Sequence, residues 1–376
     1  MNIYGYIVKT FNVMSFSMLC SFLGTILLGN ILSIESFGFF NILKTFLPML
    51  SIFVLMGIDK SYIKNYSKKK ENNIIFYLLS STLIFSIIVS IIFSLIFDFI
   101  NLIVYIFLIV FCGSLNLFLS SYFRMKNQYG FGQIMQSGHK IIFLIIVLLF
   151  YLSDFQINEN SLIFILLLSA FFPSLIFVKY IYSIITYKFK LIEFYDYVSL
   201  YKFGFLFFLL NILNHCIFNM EKFVIPVVYG NEAMGIYSAL SFVYITVFTM
   251  IGTSMGLVIF PELSKNNYID FFKISKYCSL IILVLVILFY FFGFELNSFI
   301  YSAKYDSWRT KSIDILIIMI GSLQFINGLM HWYILGAYGK KEFLLYGKLI
   351  FLILSAYMIF VFLLVKFYST RFEELI

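Results

Sequence analysis

The chain has 376 residues, of which 62% are hydrophobic and 12% charged, with a mean hydropathy of +1.01 and a net charge of +8. A soluble domain is about half apolar and about a quarter charged, so the composition excludes a soluble domain and specifies an integral membrane protein. The basic excess follows membrane topology and is not a nucleic-acid signal.

The apolar runs reach the roughly 20 residues that a spanning helix needs, and the alternation of an outer-membrane barrel is absent. Hydropathy predicts eleven helices, at about 10–33, 38–58, 74–97, 100–122, 134–153, 161–185, 200–228, 234–260, 274–296, 312–336 and 342–366. The first run, Phe11 to Ile31, lacks a basic start and a small-residue exit, so it reads as a retained helix and not a cleaved signal. The four cysteines, Cys20, Cys112, Cys216 and Cys278, are scattered in apolar context without CxxC spacing. Neither a disulfide framework nor a metal site follows from them, and no cofactor is expected.

Basic residues gather in alternate connections. One set carries Lys9, then Lys60, Lys64 and Lys68 to Lys70, then Arg124 and Lys126, then Lys179, Lys188, Lys190 and Lys202, then Lys265, Lys273 and Lys276, then Lys340 and Lys341. The opposite loops around Glu35, Asp98, Asp154 to Glu159 and Glu232 carry none, and only Lys304, Arg309 and Lys311 break the pattern. By the positive-inside rule the N-terminus is expected on the cytoplasmic side.

A two-fold repeat runs through the chain. Leu32-Ser33-Ile34-Glu35-Ser36-Phe37-Gly38 is echoed by Val227 to Tyr237, where Glu232-Ala233-Met234-Gly235 has the same Glu-x-x-Gly form. At the offset that puts Gly38 on Gly235, Ser67-Lys68 falls on Ser264-Lys265 and Asp98 on Glu295. Further on the offset grows, so that Tyr129-Gly130 and Gly138 fall on Tyr338-Gly339 and Gly347. The polar run Ala303 to Ser312 supplies the roughly dozen extra residues. The expected architecture is all-α and polytopic, with two pseudo-equivalent bundles, residues 1–190 and 191–376. The second bundle is expected to lack its last helix, because the counterpart of helix 6 would begin near residue 370.

These motifs, in this order, resemble those of the Wzx-type polysaccharide flippases of O-antigen and capsule clusters, in the superfamily that includes the multidrug exporters. The likeness is carried by Ile34 to Gly38, Tyr229 to Tyr237, Phe260-Pro261-Glu262-Leu263-Ser264-Lys265, and Glu221-Lys222 within helix 7. The resemblance implies a flippase that moves an oligosaccharide repeat unit on undecaprenyl diphosphate across the bacterial inner membrane by alternating access. It also implies membrane lipids, coupling protons or sodium ions, and polysaccharide polymerase and chain-length proteins as partners.

Charge inside a span costs about 2.5–3.5 kcal/mol on insertion scales, so such residues pair, snorkel or face water. Lys44, Lys140, Lys222 and Lys348 fall within predicted spans. On helix 7, Asn211, Asn214, His215, Phe218, Asn219 and Lys222 share one face, with Glu221 at its edge. That polar face implies either a hydrated cavity or a helix–helix contact. Helix 10 repeats the theme with Gln324, Asn327, Gly328 and His331, and helix 4 carries Asn116, Ser120 and Arg124. For the implied substrate, Lys44, Arg124, Lys222 and Lys348 are candidates for the diphosphate. Asn211, His215, Glu221, Gln324 and His331 are candidates for lining the path. Pro48, Pro173 and Pro226 are candidate flexing points.

No HExxH, GxSxG or GxxxxGK[ST] motif occurs, so the expectation is a transporter and not an enzyme. A cation-coupled drug exporter would call for carboxylates in its cavity, and helix 7 offers Glu221 alone. An O-antigen polymerase would bring a large arginine-bearing outer loop, and the longest such loop here, residues 297–311, holds only Arg309.

Overall fold

In a computed structural model the structure describes residues 3–59, 61, 71–97, 99–126, 128–153, 157–185, 191–265, 271–302 and 304–336, with single positions between 348 and 363. The elements are α1 (Ile3–Ile31), α2 (Ile34–Leu55), α3 (Glu71–Ile96), α4 (Ile103–Met125), α5 (Tyr129–Leu152) and α6 (Glu159–Ile185). A helical run Leu191–Lys265 follows, with non-helical backbone at Asn219 (φ −138°, ψ 16°) and Gly230 (φ 81°, ψ −177°). Gly230 ends one helix and starts the next, giving α7 (191–229) and α8 (231–265). Then come α9 (Phe271–Ile300) and α10 (Lys311–Gly336). Described positions between 348 and 363 are helical, in the predicted eleventh segment.

Among the described residues there is no strand, and nine stretches are long and apolar enough to cross a membrane. The protein is therefore an all-α polytopic membrane protein. Its helices differ in how much they bury. The α2 span is 67% buried and the α9 span 17%. Leu280, Leu283, Phe291 and Phe299 of α9 are exposed, and such residues cost nothing where hydrocarbon is the solvent.

Contacts divide the chain into two compact units, one made of Met1–Thr25 with Ile42–Ile212, the other of Ile26–Asn41 with Leu213–Ile376. In the first unit α4 packs on α3, α5 and α6, and α5 packs on α6. A core of Leu55, Ile58, Tyr77, Leu78, Phe118, Leu119, Tyr122, Phe123, Met135 and Leu200 ties the end of α2 to α3, α4, α5 and α7. Pro173 falls in α6, where a proline frees a carbonyl of the preceding turn. Asn116 of α4 donates to the Ala170 carbonyl at 2.8 Å, which ties α4 to α6 in the turn before that proline.

In the second unit the α1–α2 corner meets the start of α8. Ser33 opens α2, its hydroxyl accepting from the Ser36 amide at 3.2 Å, as an N-cap should. Glu35 lies in the first turn, where the helix dipole favours an anion. A Cβ on Gly38 would come 1.8 Å from the Asn231 carbonyl oxygen, and one on Gly235 would come 2.0 Å from the Ile34 carbonyl oxygen. The residues that the sequence repeat pairs are thus the residues that meet, each glycine lying on the carbonyl that precedes the other. The second helix of each repeat also takes a glycine from the fourth. Gly113 of α4 lies against Ser51 of α2, and Gly321 of α10 lies against Phe248 of α8.

Pro48 and Pro173 sit inside continuous helices. The interruptions fall at Asn219 and Gly230, not at a proline. Gly230 lies in a backbone region essentially closed to other residues, yet nothing approaches its missing Cβ within 4 Å. Its requirement is purely conformational. Gly230→Ala and Gly230→Asn should both destabilise by about 1–3 kcal/mol, measured by thermal unfolding in detergent. Gly130→Ala, on α5 with open space around it, should be neutral or stabilising, because alanine is about 1 kcal/mol the better helix former.

Candidate functional site

Amide and charged groups cluster on α7 and α10, and the structure shows what holds several of them. Asn219 is non-helical within α7. A break inside a span leaves backbone groups that cannot turn to water and must find partners in the protein. The Asn219 amide supplies one, donating to the His215 carbonyl at 3.1 Å. Its other end accepts from the Lys222 ammonium at 3.2 Å. One asparagine side chain therefore both seals the broken turn and positions a lysine. Asparagine suits the task because its short amide competes with the helix ladder for local backbone groups.

Asn214 and Asn327 link α7 to α10. The Asn327 amide donates to Asn214 Oδ1 at 2.8 Å, and Asn327 Oδ1 is buried without a partner among the described residues. Here the polar faces of the two helices meet in a helix–helix contact. Glu221 and Gln324 are buried, at 0% and 1% exposure. His215, Lys222 and, in the first unit, Asn211 are half-buried. The side chain of His331 lies outside the described residues. Lys348 is exposed on a described helical position, and its sequence neighbours lie outside the described residues.

In the first unit, Lys44 of α2 donates to the Thr25 hydroxyl of α1, which itself donates to the Ser21 carbonyl at 2.7 Å. The Lys44 ammonium also lies 6.0 Å from the Phe143 ring centre. The offset that carries Gly38 onto Gly235 also carries Thr25 onto Lys222. Each repeat thus places a lysine on its first helix pair, Lys44 on α2 and Lys222 on α7. Arg124, near the end of α4, is half-buried and donates to Gln133 Oε1 at 2.9 Å and to Gln136 Oε1, both on α5. Gln133 in turn donates to Ser137 at 2.7 Å. These amide partners orient the guanidinium.

Two cations in loop 301–310 have roles that hydropathy could not reveal. Arg309 forms an ion pair with Asp314 at 2.8 Å, donates to the Phe294 carbonyl at 3.0 Å and to the Tyr244 hydroxyl, and stacks 4.8 Å from the Phe294 ring. Lys304 donates to the Gly29 carbonyl at 3.1 Å and to the Leu32 carbonyl, at the C-terminal end of α1 where the helix dipole favours a cation. Burial lowers the Lys304 ammonium from the usual lysine value, and Tyr305 donates to the same Gly29 carbonyl at 3.1 Å. Both side chains act as internal ties, which accounts for their departure from the charge pattern of the other loops. The clue in sequence was the pair Arg309 and Asp314 flanking the start of α10, where Thr310 accepts from the Ile313 amide at 3.3 Å.

Breaking a buried pair leaves an unmatched charge, so Asp314→Asn and Arg309→Gln should each cost about 3 kcal/mol or more. The double substitution should cost less than the sum of the two, as read from thermal unfolding in detergent.

No curated protein and no solved structure matches the chain. A family model described as polysaccharide biosynthesis protein matches residues 8–267, a segment that begins in α1 and runs through α8. That match spans more than half of the sequence and includes both Glu-x-x-Gly corners and the Asn219 break. The chain is a member of the polysaccharide biosynthesis protein family.

Proposed function

We propose that the protein is a flippase that carries an oligosaccharide repeat unit on undecaprenyl diphosphate across the bacterial inner membrane by alternating access, for O-antigen or capsule synthesis. The observation that carries this reading is the pair of lysines held within spans, Lys44 by Thr25 and Lys222 by Asn219. Family membership supports a role in polysaccharide biosynthesis. The lysines supply the chemistry that an anionic lipid-linked substrate would require there.

The physical difficulty is to bring a hydrated glycan and a diphosphate through hydrocarbon. Lys44 is held by the Thr25 hydroxyl and Lys222 by the Asn219 amide, and a phosphate oxygen taken in place of either gives a stronger, charge-assisted bond. Arg124 offers a planar fork for a phosphate, with Lys348 as a further basic group. Asn211, His215, Gln324 and His331 supply hydrogen bonds for sugar hydroxyls. Glu221, beside Lys222, moderates the local positive charge. The break at Asn219 adds a joint at which α7 bends without a proline. Protons or sodium ions serve as coupling ions, and polymerase and chain-length proteins receive the product.

Purified protein reconstituted with a fluorescent undecaprenyl-diphosphate-linked sugar, placed in one leaflet, tests the reading directly. The wild-type chain should accelerate transfer to the other leaflet. Lys44→Met and Lys222→Met, which keep the apolar stem and lose the charge, should each slow it about tenfold or more, the weight of a charged hydrogen bond. Transfer at the wild-type rate in both variants would remove the lysines from the mechanism. No transfer above empty liposomes by the wild-type chain would remove the flippase reading.

A further inference from the structure

Two lysines of the first unit lie at the middle of their spans. Lys140 is the eleventh of 23 residues in the span Gly130–Leu152, and Lys44 is the eleventh of 22 in the span Ile34–Leu55. At about 1.5 Å of rise per residue, each is about 15 Å from the nearer end of its span. A lysine stem at that depth is too short to carry its ammonium to the interface, so the charge must pair or face a polar path. Both side chains are half-buried.

The two lysines share one stripe of α5. A Cβ on Gly24 of α1 would come 2.7 Å from the Phe143 ring, and the Lys44 ammonium is 6.0 Å from the centre of that ring. Lys140 stands one turn before Phe143 on the same face of α5. His139, beside it, is within electrostatic reach of both Lys140 and Lys44. One turn earlier still, Gln136 is hydrogen-bonded through its backbone to His139 and accepts from Arg124 through its side chain. Gln136, Lys140 and Phe143 thus mark a stripe about 10 Å long that leads from Arg124, near the end of α4, to Lys44 in mid-span. Helices α1, α4 and α5, and residues 42–55 of α2, contain no Asp or Glu. In the second unit, by contrast, Lys222 directly follows Glu221 and feels its charge.

We propose that Lys140 joins Lys44 to hold one diphosphate anion within the first unit, with Arg124 at the entrance to the stripe. Two ammonium groups brought together away from water repel, and an anion between them replaces that repulsion with charge-assisted hydrogen bonds to both. The site rests on the placement of the two lysines. It relies on the flippase reading only for the source of the anion, the head of a lipid-linked substrate.

Equilibrium binding of radiolabelled inorganic pyrophosphate to the full-length protein in detergent tests this. The wild-type chain should bind it saturably. Lys140→Met should weaken binding about tenfold, the weight of a charged hydrogen bond, while Lys140→Arg should retain it. Methionine keeps the stem and removes a charge from mid-span, a change that favours insertion. Lys126→Met makes the same change of charge at the end of α4, where Lys126 donates to the Tyr122 hydroxyl, and should leave binding as it was. Displacement of the pyrophosphate by undecaprenyl diphosphate would mark a lipid head as the occupant, and pyrophosphate that the lipid leaves in place would mark a soluble anion; the site stands in both cases. Failure of the flippase reading shows separately, as absence of transfer in liposomes. No saturable binding by the wild-type chain, undiminished binding by Lys140→Met, or an equal loss in Lys126→Met would overturn the proposal.

Discussion

Within a bilayer, each backbone amide, carbonyl and charge has to be satisfied by the chain itself, because hydrocarbon offers no hydrogen bonds. The polar features of this molecule follow from that constraint. The broken turn at Asn219 is mended by its own side chain. The amide of Asn116, buried in α4, is taken up by the Ala170 carbonyl of a neighbouring helix. The end of α1 is capped by Lys304 and Tyr305 from the loop after α9. In each case a polar side chain finds its partner on the backbone of the chain.

The same constraint separates structural cations from candidate functional ones. Arg309 has a carboxylate, a carbonyl and a hydroxyl as partners, and its charge is spent inside the fold. Lys44 donates to a hydroxyl and Lys222 to an amide, partners that hold a lysine in place without forming an ion pair themselves. Arg124 likewise rests on two glutamine amides. Keeping such groups in or near the spans costs about 2.5–3.5 kcal/mol for each central charge on insertion scales, which is what marks them as candidates.

The all-α polytopic fold and the Glu-x-x-Gly corners could be read from the sequence because apolar runs and short polar turns are local signals. The repeat even anticipated contacts: Ile34 to Gly38 meets Asn231 to Gly235 in a reciprocal crossing. Partner choice was not legible. Nothing in the spacing of Asn214 and Asn327 told whether they line water or bond to one another, and the structure joins them. The prolines drew attention as joints, yet α2 and α6 continue through Pro48 and Pro173 while α7 breaks at Asn219. A proline that keeps its helix costs one hydrogen bond, whereas an asparagine can replace the bond it breaks. Arg309 was legible as an exception to the charge pattern but not as a tie to α8, since Tyr244 lies far from it in sequence.

The account turns on whether the lysines held in the spans recognise a diphosphate. Binding of undecaprenyl diphosphate and of uncharged undecaprenol to the purified protein, followed by native mass spectrometry, measures this most directly. The wild-type chain should prefer the diphosphate by about tenfold or more, the strength of a charge-assisted bond, and the Lys44→Met, Lys222→Met double variant should lose that preference. Equal binding of the two lipids by the wild-type chain, or a preference that survives in the double variant, would contradict it.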